Sequence, residues 1–141
     1  MDAPAMDAAR RLAEANRLAN QALAEIQAVP NPDRSFLEDR LREYVARKMA
    51  LEEGEISDSV TEMIQISVAR SMHVDISRLK KVDQASKCNG TTAVISKRVL
   101  LFLAIQKGLG VTLPPEKTPD IHTVQDLADI LLPLLRARAE G

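Results

Sequence analysis

"NGTTAVISKRVLLFLAIQKGLGVTLP", residues Asn89 to Pro114, decides how this chain folds. Small and polar residues lead into an unbroken apolar run, Val99 to Ile105, and glycines with a proline follow it. The run is more apolar than one water-facing helix surface can be. It therefore reads as a helix from Ser96 to about Leu109, covered on several sides, with the glycines Gly108 and Gly110 as its C-terminal stop. Ser96 stands at its mouth. Its hydroxyl either satisfies a backbone N–H as the helix cap or serves as a point of attachment.

Composition agrees with helices. Of 141 residues 45% are apolar but only 2% aromatic, so the core must come from Leu, Ile, Val, Met and Ala, which suits packed helices better than sheets. The expected fold class is all-α. A net charge of −1 gives no global pull toward nucleic acid or an anionic membrane. The lone cysteine, Cys88, excludes an internal disulfide. No stretch approaches the roughly 20 apolar residues that cross a bilayer. "MDAPAMDAARRLAEANRLANQ" carries Asp2 and Asp7 and no continuous apolar region, so it is not read as a secretory signal, and cytoplasmic residence is the expectation.

Upstream, Leu12, Ala15, Leu18, Ala19, Ala22, Leu23 and Ile26 recur at helical spacing, predicting a helix from about Ala5 to Gln27. Pro30 and Pro32 end it. Ser35 and Glu38 have capping-box spacing for a second helix running to about Glu53, with Leu37, Leu41, Tyr44 and Val45 as its stripe and Gly54 as its end. Ser59 and Glu62 open a third, which fades near Met72. From His73 to Thr92 periodicity is lost, and the segment reads as a long connection. Downstream, "VTLPPEKTPD" is a proline-punctuated loop, and Thr123 with Asp126 opens a last helix that Pro133 kinks or ends.

From Val60 to Leu135 this order of elements resembles an acyl carrier protein. The most specific part is "VLLFLAIQKGLGVTLPPEKTPDIHTVQDLADIL", similar to the family's second helix, its "G-V-x-[IL]-P" exit and the "x-T-V-x-D-L" opening of its last helix. The resemblance implies an acyl-carrier-like helical bundle around an apolar cavity, with a serine esterified by 4′-phosphopantetheine and no catalysis on the carrier itself. Residues 1–55 lie outside it and read as an N-terminal helical hairpin extension; residues 56–141 form the carrier-like domain.

Two features depart from the family pattern. Counting back without gaps from the exit places Val94, Ile95 and Ser96 where the family has Asp-Ser-Leu, and one residue along a helix turns a side chain by about 100°. The family's second helix is acidic, whereas Arg78, Lys80, Lys81, Lys87, Lys97, Arg98 and Lys107 here face only Asp83. An enzyme that reads an acidic carrier should reject this one.

The bland readings stand beside these. Ser96 serves as an N-cap, or Thr91 or Thr92 does so instead. The basic cluster is a solvated face, or it docks an acidic protein surface through Lys87, Lys97, Arg98 and Lys107. Nucleic acid is disfavoured because no aromatics interleave the charges. Cys88 is a small apolar residue, or a thiol activated by neighbouring lysines. His73 and His122 have no companions at metal-ligand spacing, and no nucleophile–base–acid set is visible.

The expectation is a non-catalytic, carrier-like binding or scaffolding component for a modifying or biosynthetic enzyme with an acidic docking surface. Accessory members of bacterial peptide-modification systems are the context the resemblance implies. One alternative is a genuine carrier of an acyl or aminoacyl thioester on 4′-phosphopantetheine at Ser96; another is a plain helical adaptor. No enzyme, metal, membrane or nucleic-acid partner is expected, and the sequence does not fix the oligomeric state.

Overall fold

The computed structural model describes residues 3–85 and 92–140. Among them the chain is all-α: helices α1 (Ala3–Ala28), α2 (Arg34–Lys48), α3 (Val60–Met72), α4 (Ile76–Ala85), α5 (Thr92–Leu109) and α6 (Val124–Glu140), with short 3₁₀ turns at Glu53–Glu55 and Thr118–Asp120. Cys88, Lys87, Thr91 and the Asn89-Gly90 turn lie outside the described residues.

Local chemistry sets the boundaries. Asp33 rather than Ser35 caps α2, its carboxylate accepting the Phe36 N–H at 2.8 Å. Ser35 lies inside the first turn, where its hydroxyl cannot reach the orphan donors ahead of it. The helix stops at Lys48, short of the expected Glu53. Ala50 adopts the left-handed conformation (φ 56°), the Leu51 amide bonds back to the Ala46 carbonyl at 3.0 Å, and the Ala50 amide to that of Arg47 at 3.1 Å. This is a Schellman ending. Ser59 caps α3 as expected, accepting the Glu62 N–H at 3.0 Å.

The aperiodic reading of His73 to Thr92 fails over its first half. Ile76 and the buried Leu79 sit one turn apart on α4, which begins where the Asp75 carbonyl accepts the amides of Arg78 and Leu79. Pro133 likewise does not end α6, which continues to Glu140. Pro133 and Asp129 are both exposed, so water can satisfy the carbonyl that the missing proline N–H leaves free.

One apolar core runs through the whole chain. Ile26 of α1, Leu37 and Leu41 of α2, Met63 of α3, Ile105 of α5 and Leu131 of α6 are all fully buried in it. Each such side chain contributes roughly 1.5–3 kcal/mol of burial. α1 and α2 form a hairpin; α2 packs on α6, α1 on α5, and α3 on both α4 and α5. No helix among the described residues is long and apolar enough to cross a membrane.

Candidate docking face on helix α5

α5 has two unlike sides. At 100° per residue, Val94, Leu101, Phe102, Ile105 and Leu109 project one way and Ser96, Val99, Leu100, Leu103 and Lys107 the other. The first set is buried. On the second, Val99 is 50% exposed, Leu100 66% and Leu103 54%, with Ser96 and Lys107 also open to solvent.

The expected covering of the apolar run on several sides is therefore incomplete. Among the described residues α3 and α1 pack on α5, and the side that carries Val99, Leu100 and Leu103 stays exposed. Gly108 permits the α1 contact: a Cβ there would stand 2.6 Å from Leu23 Cδ1. The resulting stripe starts at Ser96, passes through Val99, Leu100 and Leu103, and ends at Lys107.

Ser96 does not cap this helix. α5 begins at Thr92, so Ser96 lies one turn inside, exposed, with its hydroxyl in no hydrogen bond among the described residues. Ile95, which ungapped counting places at the family's serine, is half-buried beside the buried Val94.

The basic residues do different things. Arg98 is turned inward: its guanidinium donates to the Thr118 carbonyl at 2.7 Å and to that of Ile121, and lies 4.9 Å from the centre of the Phe102 ring. It clamps the loop between α5 and α6, and burial lowers its pKa. Lys97 flanks the stripe, half-buried, with its pKa lowered by burial and no ion-pair partner among the described residues. Lys107 closes the exposed side. Lys87 falls outside the described residues.

α5 holds no carboxylate; Arg78 and Lys81 are exposed on α4, which packs on α3. Lys80 lies 3.5 Å from Glu62, and the Asp83 carboxylate accepts from Gln65 Nε2. The two histidines have structural partners or positions: His73 holds the left-handed residue that ends α3, and His122 Nδ1 lies 3.2 Å from Thr61 Oγ1.

Val99, Leu100 and Leu103 were not singled out from the sequence. The signal was present. Seven consecutive apolar residues travel around a helix nearly twice, so some of them had to share the side on which Ser96 lies. An apolar stripe of this kind can bury against a partner and exclude water, while its lysines select the sign of that partner's rim. No family profile, curated protein or solved structure matches the chain.

Proposed function

We propose that this protein is a non-catalytic, carrier-like docking component that offers the exposed side of α5 to a modifying or biosynthetic enzyme with an acidic rim. The observation that carries the reading is the open stripe Val99, Leu100 and Leu103 on a helix whose other side is fully buried. A protein spending three aliphatic side chains on water in one line gains nothing in folding from them. Lys97 and Lys107, on α5 itself, give the surroundings a positive sign. Arg98 belongs to the loop clamp instead of the docking set.

A second reading is favoured by one feature: Ser96 is an exposed hydroxyl without an intramolecular partner among the described residues. Its access fits esterification by 4′-phosphopantetheine, and Ser96 is the residue that would hold it. That arm would supply a thiol for a thioester. The half-buried Ile95 at the register of the family's serine argues for the first reading.

Intact-protein mass spectrometry of material from the native cell, beside Ser96→Ala, separates the two. An unmodified mass is expected; a phosphopantetheine-sized increment that disappears in the variant would establish the carrier reading. A photo-crosslinker at position 103 is expected to trap a protein whose purified form binds the wild-type chain and loses about 30-fold in affinity for Leu100→Glu, the cost of charging a central anchor. Equal binding to both forms would remove α5 as the docking face.

A further inference from the structure

α1 outruns its partner helix. It spans Ala3–Ala28 while α2 covers Arg34–Lys48, so roughly three turns of α1, about 16 Å at 1.5 Å per residue, project beyond the end of α2. The seam that α2 covers does not stop where α2 stops. Ala8, Leu12, Ala15, Ala19, Ala22 and Ile26 alternate in steps of four and three, the rhythm by which one helix pairs with another.

Ala19, Ala22 and Ile26 are buried, Ala15 is half-buried, and Leu12, next along the same line, is 59% exposed. Beside the overhang lies a groove of about 630 Å³ whose apolar lining includes Leu12, Ala15, Leu18 and Leu51. Its charges are unevenly spent. Glu14 pairs with Arg17, Arg47 with Glu43, and Arg70 with Glu55. Arg10 and Arg11 line the groove and have no ion-pair partner among the described residues; the one further charge on the lining is the Glu52 carboxylate, so the groove keeps a positive excess.

We infer that this overhang is a docking site for an acidic amphipathic helix of a partner protein, laid antiparallel to α1 in line with α2. The covered half of the seam shows the mode. There α2 lies over small α1 side chains, and Arg40 reaches Glu25 at 2.9 Å across the pair. Alanines on the seam admit a close second helix, as they do under α2. An incoming helix continues that interface, with its carboxylates meeting the guanidinium forks of Arg10 and Arg11.

A second copy of this chain fits less well. The overhang carries Asp7, Arg10 and Arg11, with Glu14 already paired to Arg17, so a second copy would set arginines against arginines.

The test uses the full chain and two stapled synthetic helices with identical Leu and Ala seam positions, one flanked by Glu and the other by Lys. Fluorescence anisotropy is expected to show binding of the Glu helix only. That binding should weaken as salt rises, and about tenfold in Leu12→Asp and in the Arg10→Glu, Arg11→Glu double variant. Leu12 and both arginines are exposed, so thermal unfolding should be unchanged and the loss is not one of folding. Equal binding of the two helices, binding of neither, or an unchanged affinity in Leu12→Asp overturns the inference. Sedimentation showing a dimer that Leu12→Asp dissociates also overturns it, because the occupant is then a second copy.

Discussion

Tyr44 shows what a single side chain contributes at this depth. It is the only tyrosine, 1% exposed, and burial pushes its phenol up to about 12 from 10.0. The buried site favours the neutral form, so the folded state holds its proton longer than the unfolded chain does. Stability from this group is complete below pH 10 and is lost as pH rises toward 12, by about 2–3 kcal/mol for a two-unit shift. Absorbance near the tyrosinate band should titrate with a midpoint near 12 in the native protein; a midpoint at the ordinary value would show that the phenol reaches water. Residue identity alone could not announce this. Tyr44 was legible as a stripe residue, but its depth depends on the helices that pack on α2, namely α1, α6 and α3. Ser96 is the converse case: the sequence offers it as a cap, yet whether it caps depends on where the helix starts, and α5 has it one turn inside.

At the level of elements, three helices end alike. Ala50 after α2, His73 after α3 and Gly110 after α5 take positive φ (56°, 56° and 66°), and in each case the next amide reaches five residues back, to Ala46, Ala69 and Gln106. Only glycine adopts that conformation without steric cost, which for other residues is about 1–2 kcal/mol. Ala50 is exposed, so Ala50→Gly removes strain without touching packing. It should stabilise the protein by about 1 kcal/mol after the entropy of the unfolded glycine is subtracted. Thermal denaturation should show the midpoint rising by a few degrees; a fall would mean that the ending carries no strain.

The same comparison explains which elements could be read. Gly110 announces its helix end in the sequence, and Thr123 with Asp126 announces a start: the Thr123 hydroxyl accepts the Asp126 amide at 3.0 Å while Asp126 accepts the Thr123 amide at 3.1 Å. Ala50 announces nothing, so the apolar pattern of α2 runs on past its true end at Lys48. α4 leaves a weak periodic signal because its short stripe of Ile76, Leu79 and Val82 is diluted by lysines, and Val82 stays 54% exposed. Its stability comes from packing on α3, which no local pattern displays.

The whole molecule has no seam at the boundary between residues 55 and 56. The core passes from α1 and α2 into α3, α5 and α6, Arg34 reaches the Gln125 carbonyl at 3.4 Å and the Asp129 carboxylate, and Arg138 bridges the Leu109 carbonyl and Gln27, each at 2.6 Å. Removing residues 1–55 would uncover the faces that Ile26, Leu37, Leu41 and Tyr44 occupy. At roughly 1.5–3 kcal/mol for each large side chain, that approaches the 5–15 kcal/mol total stability of an ordinary domain. Residues 56–141 alone should therefore retain helicity but melt without a cooperative transition, as followed by circular dichroism; a sharp transition would show that the carrier-like segment stands by itself. The antiparallel bridge between Ser59 and Thr123 extends the same continuity to the helix starts. The Val124 amide bonds to the Asp58 carbonyl at 2.8 Å and the Thr61 amide to that of His122 at 3.2 Å, so α3 and α6 share a fastening at their N-termini. Neither helix can fray there without releasing the other, and in hydrogen exchange the amides of Thr61 and Val124 exchange through one opening event, far apart in the chain but kinetically one unit.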